Sequence, residues 1–206
     1  MVYLGMSNIT SLYLTNIKMP YYPSIPSPCY VLEENLLIAN LELLKRVQQE
    51  ASIDIICALK GFSFYHEFPL VKQFLAGATA SSLHEARLAF EEMGVRPHVY
   101  SPAYLEADWE ELASYAGHIT FNSLNQYNQY KDRAHAAGIS CGLRINPEYA
   151  EVETDMYNPC VAGSRLGIRR SDLGDLPEGI QGLHSHTLCE NDSFVLERTL
   201  AVIEEK

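Results

Sequence analysis

The stretch GATASSLHEARLAFEEMGVRPHVYS, residues 77–101, holds one whole repeat unit of the fold. GATAS (77–81) is a short run of small residues suited to a strand. SLHEARLAFEEMG then carries apolar residues at helical spacing and closes at Gly94, where a glycine ends a helix without a Cβ penalty. PHVYS (97–101) resumes as a strand. The same alternation continues outward on both sides. Upstream, EENLLIANLELLKRVQQ sets Leu37, Leu41 and Leu44 at helical spacing among Glu, Lys, Arg and Gln. IDIICAL (53–59) is an apolar strand and EFPLVKQFLA a helix, while CYVL (29–32), after the proline-rich PYYPSIPSP, is a further strand candidate. Downstream come the helix YLEADWEELASYA, the strand HITFN (118–122), the helix SLNQYNQYKDRAHAAG and the strand CGLRIN (141–146). PEYAEVETDMYNPCVAGSRLG reads as an irregular loop before the strand GIQGLHSH (179–186) and a last helix from about 193.

Strand ends fall near 60, 80, 101, 122, 145 and 186. Strand–helix alternation of this kind predicts an α/β fold with parallel strands. The first five recur every twenty-odd residues, about the unit length of a (β/α)8 TIM-type barrel of ~250 residues. A doubly wound sheet is the rival, but it carries a glycine-rich turn after its first strand, and the turn here, LKGFSF, has one glycine. Six units where a closed barrel needs eight predict an incomplete barrel over residues 21–206, its unpaired edges an aggregation liability. Residues 1–20 show no clear period and are expected to form a loosely ordered extension, with Met19 an alternative start.

With 206 residues, 47% hydrophobic and 20% charged, the composition is that of a globular protein of one ordinary domain. A net charge of −11 argues against a nucleic-acid surface and is compatible with a cationic small-molecule ligand. The five cysteines form no CxxC pair, which predicts reduced thiols and a cytoplasmic location. No apolar run approaches the ~20 residues of a membrane span, and the N-terminus lacks the pattern of a signal peptide.

Polar or reactive residues stand at the C-terminal ends of the strands: Lys60, Thr79, Ser101, Asn122, Arg144 and His186. In a parallel barrel this is the end where active sites assemble. Lys60 follows the apolar ICAL and precedes GF, flanks that leave little solvent for its ammonium. A lysine either snorkels out of such a sheet end or serves as a Schiff-base amine for a carbonyl cofactor. Arg144 is either a structural ion-pair partner or an anion contact. His184 and His186 share one face of a strand, but no further His or Cys lies at ligand spacing to support a metal site. A strand-end histidine can instead lie against a planar cofactor ring, which suits His186.

Taken in order, SPCYVLEENLLIANLELL, ICALKGFS, GATASSLHEARLA, LRINPE, SRLGI and GLHSHTLCE resemble the carboxynorspermidine (carboxyspermidine) decarboxylases. These are alanine racemase-like, fold-type III pyridoxal-phosphate enzymes of polyamine biosynthesis. The likeness covers roughly residues 20–206, and LRINPE and HTLCE are the most specific segments. The resemblance implies that Lys60 is the catalytic lysine that carries pyridoxal 5'-phosphate. It also implies that His186 stacks on the pyridine ring, that Arg144 lies near the cofactor, and that Glu85 is an acidic residue close to it. No metal is implied. The substrate would be a carboxylated polyamine and the assembly a homodimer. Cys189 departs from the family, where a serine approaches the phosphate. The family's glycine-rich phosphate loop, its acidic partner for the pyridine nitrogen and its C-terminal β-domain find no counterpart, so the resemblance implies an N-terminal part without activity of its own. Alternatives are a non-catalytic remnant and another fold-type III enzyme, such as diaminopimelate decarboxylase or an amino-acid racemase; a small pyridoxal-phosphate carrier is more distant.

Overall fold

A computed structural model describes residues 24–206 apart from 27 and 153. The extension expected over 1–20 lies outside the described residues. Among the described residues, regular structure begins with helix α1 (Glu34–Ala51), whose Leu37, Leu41 and Leu44 are buried as their spacing predicts. α1 ends at Ser52 in the left-handed region (φ 53°), with its N–H on the Gln48 carbonyl. Then follow β1 (Ile56–Ala58) and, after a 3-10 turn, α2 (Phe68–Val71). Next are β2 (Gly77–Ala80) and α3 (Leu83–Leu88), which passes into a π-helical turn over Ala89–Met93 and stops at Gly94 (φ 66°). β3 (His98–Tyr100), α4 (Trp109–Tyr115), β4 (His118–Phe121), α5 (Leu124–Ala136) and β5 (Ser140–Asn146) continue the alternation. The last elements are β6 (Ile168–Arg169), α6 (Arg170–Leu173), β7 (Ile180–His184) and α7 (Ser193–Glu205).

All pairings are parallel, and β1 to β5 lie side by side in chain order with β7 next to β5. The six strands read from the sequence are therefore present, in the direction that βαβ crossovers require. A seventh, β6, comes from the region after the predicted loop. It pairs Ile145 and Asn146 of β5, past the point where β4 stops opposite Leu143. Two residues are too few to show a period in a sequence. The pairing depends on Gly167, at φ +81°, where a Cβ would stand 2.8 Å from the Ile145 carbonyl carbon and oxygen.

CYVL is not a strand. Residues 29–32 carry no regular structure, and Tyr30 is 98% exposed. A strand needs a hydrogen-bonding neighbour, and no described residue pairs with this segment. Among the described residues β1 pairs only with β2, and β7 only with β5, so the sheet is an open one and does not close into a barrel.

Two apolar clusters join the helices to the outer face of the sheet. One packs α1 and α2 on β1 and β2, with Leu41 and Phe68 fully buried. The other packs α4 and α5 on β3, β4 and β5, where Trp109 stacks on Tyr130 at 4.0 Å. Fully burying a side chain of this size stabilises the fold by about 1.5–3 kcal/mol. The helix-facing strand residues include Cys57, Ala80, Val99, Ile119, Phe121 and Leu143. Strand alternation therefore turns the intervening residues to the opposite, concave face. Among the described residues no helix is long and apolar enough to cross a membrane.

Candidate active site

The concave face is polar, and register sets its side chains in rows. Thr79, His98, His118 and Ser140 are successive cross-strand neighbours. One step toward the strand C-termini, Tyr100, Thr120, Gly142 and Gly182 form the next row. Beyond them Arg144 stands beside His184.

The lower row is a histidine network. His118 Nδ1 lies 2.9 Å from Ser140 Oγ, and its Nε2 lies 3.2 Å from Thr120 Oγ1. Its ring stacks on His98 at 4.9 Å between centroids. A Cβ on Gly142 would stand 2.8 Å from His118 Nε2, so the glycine makes room for this ring. Burial, aided by His98, pushes the His118 pKa down to about 4.

The upper row converges on Tyr100. Arg144, 5% exposed, donates from Nη1 to the Tyr100 hydroxyl, and its guanidinium also lies over the Tyr100 ring, 5.1 Å from the centroid. Two imidazoles also lie against the Tyr100 ring. His184 stacks on Tyr100 at 4.7 Å, His186 lies tilted at 6.3 Å, and His184 Nε2 is 3.3 Å from His186 Nδ1. Burial is the main force holding both imidazoles neutral. It pushes the His184 pKa down to about 3, helped by His186, Arg144, His118 and Lys60. The His186 pKa falls to about 4, helped by Arg144 and Lys60. The lysine charge is thus felt by both histidines.

Lys60 itself is exposed. The continuous apolar run before it suggests a buried ammonium, but Ile55, Cys57 and Leu59 are buried against the helices instead. β1 stops at Ala58, and the chain turns there, with the N–H groups of Gly61 and Phe62 both on the Ala58 carbonyl. Lys60 sits in that turn at the mouth of the sheet, where its amine can meet a ligand.

Glu85 is placed differently. Ser82 caps α3 by accepting the Glu85 N–H at 3.2 Å, and the Glu85 carboxylate accepts the Ser81 N–H at 2.6 Å. The pattern recurs one unit later, where Ser123 accepts the Gln126 N–H and Gln126 Oε1 accepts the Asn122 N–H. Both are variants of the capping box in which the Glu or Gln side chain reaches the N–H of the residue before the cap, and the spacing Ser-x-x-Glu/Gln announces them in the sequence. Lys60, Arg144 and His186 thus share one face, whereas the Glu85 carboxylate is engaged at a helix start. Tyr100 is the residue that sequence reasoning missed. Cys189 is an exposed free thiol. Among the described residues no three His, Cys, Asp or Glu side chains cluster as a metal site would.

The charge balance of the mouth is lopsided. Lys60 and Arg144 bring two positive charges, and among the described residues neither makes an ion pair with a carboxylate. Arg144 Nε is buried without a hydrogen-bond partner. A buried cation left this way costs several kcal/mol. The donor set therefore suits an anionic ligand that supplies the missing acceptor.

No family model matches the chain. Over 190 residues it is 52% identical to the carboxyaminopropylagmatine decarboxylase of Synechocystis sp., an alignment covering 92% of this chain and 49% of that protein. It is 41% identical over 187 residues to the carboxynorspermidine/carboxyspermidine decarboxylase of Campylobacter jejuni, covering 90% and 48%. Among solved structures it superposes on the Campylobacter jejuni carboxynorspermidine decarboxylase, determined in complex with norspermidine, with a TM-score of 0.78 at 39% identity, over 88% of this chain and 47% of that one. The diaminopimelate decarboxylase of Helicobacter pylori in complex with L-lysine shares the fold, with a TM-score of 0.59 at 16% identity, over 81% and 48%. The chain spans about half the length of the curated relatives it matches.

Proposed function

We propose that this chain carries the site of a pyridoxal-phosphate-dependent decarboxylase acting on a carboxylated polyamine: carboxynorspermidine, carboxyspermidine or carboxyaminopropylagmatine. The observation that supports it most is the buried Arg144 guanidinium with an unpartnered Nε, set on the same face as Lys60 and His186. These residues fit the cofactor. Lys60 Nζ would hold it covalently, Arg144 would meet one of its anionic oxygens, and His186 would present its ring to the pyridine face. When bound, pyridoxal phosphate supplies the electron sink that takes up the electron pair left as the α-carboxylate departs as CO2.

The chain's own residues prepare that chemistry electrostatically. Two neutral imidazoles can lie against an aromatic ring without adding positive charge to Lys60 and Arg144. The depressed pKa values of His184 and His186 keep them neutral across the physiological range. The Lys60 amine stands at the mouth, where, with the cofactor bound, it would be placed to return a proton to the carbon that has lost its carboxylate.

A second reading, cofactor binding without turnover, is favoured by the unpaired outer edges of β1 and β7 among the described residues. One experiment separates the two. The purified chain with pyridoxal phosphate is given each of the three carboxylated polyamines, and CO2 and the amine product are measured, with Lys60→Ala as control. Product from the wild type and none from Lys60→Ala supports the decarboxylase. Product formed equally by Lys60→Ala would sink the role of that lysine, and no product from a chain that binds the cofactor supports the second reading.

A further inference from the structure

The Tyr100 hydroxyl has its two bonds fixed by its neighbours. It accepts from Arg144 Nη1 and lies 3.1 Å from Asn122 Oδ1. A guanidinium has donors only, so the Arg144 contact uses an oxygen lone pair and leaves the hydroxyl proton to point at Asn122. The Asn122 carboxamide cannot flip to refuse it. Its Nδ2 donates to the Arg165 carbonyl at 2.8 Å, and its Oδ1 accepts the Gly167 N–H at 2.9 Å. Those backbone groups cannot exchange roles. The polarity of the whole row is therefore set by the backbone of residues 165–167 and runs through Asn122 and Tyr100 to Arg144. Burial also pushes the Tyr100 phenol above its ordinary range, so the proton stays in place at neutral pH.

We propose that Tyr100 is a positioning residue. Locked by Asn122 and the 165–167 backbone, its hydroxyl fixes the orientation in which the Arg144 guanidinium, its Nε buried and unpartnered, meets an anionic ligand. The identity of that ligand rests on the reading above; the restraint on Arg144 does not. The ring alone cannot supply the restraint, because a cation over a ring face is free to turn about the axis between them.

Tyr100→Phe removes the hydroxyl and keeps the ring against Arg144 and His184. Phenylglyoxal labelling of the purified full chain, without added pyridoxal phosphate and read by peptide mass mapping, reports how freely each guanidinium reacts. Arg96, whose Nη2 and Nε donate to the Ala116 carbonyl at 2.9 and 3.2 Å, is the internal reference. In Tyr100→Phe the Arg144 labelling rate is expected to rise about tenfold relative to Arg96, the scale of a lost hydrogen bond to a charged group. Pyridoxal phosphate affinity, followed by absorbance, should fall about as much. Asn122→Ala, which frees the hydroxyl proton but keeps the hydroxyl, should raise Arg144 labelling by less. Rates that rise together at Arg144 and Arg96 would mean a loosened fold and overturn the proposal, as would an unchanged ratio in Tyr100→Phe. If the wild type binds no pyridoxal phosphate, the proposed function fails while the labelling ratio still decides the restraint.

Discussion

Arg144→Met should stabilise the unliganded chain while weakening its grip on pyridoxal phosphate. The buried guanidinium carries a desolvation penalty of several kcal/mol with no carboxylate among the described residues to offset it. Against its removal stand the hydrogen bond to Tyr100, about 1.5–3 kcal/mol, and the contact with the Tyr100 ring, about 0.5–2 kcal/mol. Methionine is apolar and unbranched and recovers about 1.5–3 kcal/mol of burial in the same space. The expected balance is a gain of about 1–2 kcal/mol, which for a chain of this size raises Tm by about 2–8 °C. Cofactor binding should weaken about tenfold or more through loss of a charge-assisted contact. Urea melts followed by circular dichroism, with and without pyridoxal phosphate, measure both quantities. Destabilisation by more than about 1 kcal/mol without ligand, and unchanged cofactor affinity, would refute the reasoning, because Arg144 would then be a satisfied structural ion.

Other outcomes follow from the same geometry. Gly167→Ala should cost about 2–4 kcal/mol in a urea melt, because it forces a left-handed alanine at φ +81° onto the Ile145 carbonyl; a loss below about 1 kcal/mol would show that β6 is not held by this approach. Glu85→Ala should lose about 1 kcal/mol through the α3 cap, while Glu85→Gln keeps an acceptor for Ser81 and most of the stability; a large loss of cofactor affinity in Glu85→Gln would instead favour a cofactor contact. Stability should fall with acid. The His184 pKa is depressed from 6.5 to about 3, so between these values the unfolded chain binds a proton that the folded one refuses. This site's contribution is whole above about pH 6.5 and declines as pH drops, on the order of 3 kcal/mol by pH 4. His184→Gln should flatten the dependence of the urea midpoint on pH across that window, and an unchanged slope would argue against a buried neutral imidazole.

The alternation of strands and helices was legible because each helix announces itself by period or by a closing glycine, as at Gly94. Arg144 and His186 were legible as polar residues ending apolar strands. Tyr100 was not, because nothing in HVYS separates it from the other twelve tyrosines; only register shows that it stands beside Thr120, one step below Arg144 and His184. The exposure of Lys60 was misread because a continuous apolar run hides which residues face the helices and which face the concave side. The contact of Glu85 with the start of α3 was legible in the Ser-x-x-Glu spacing, whereas its nearness to the cofactor is implied by the resemblance and is what Glu85→Gln tests. β6 was invisible, since two residues have no period and its pairing depends on a glycine whose need lies in tertiary contact.

The most direct test of the site is borohydride reduction of the purified chain in the presence of pyridoxal phosphate, followed by peptide mapping. The expected result is an absorbance band from protein-bound cofactor, abolished by reduction, and a pyridoxyl adduct on the peptide that contains Lys60. A folded chain that shows no such band, or whose adducts spread over surface lysines such as Lys45 and Lys72 and spare Lys60, would contradict it.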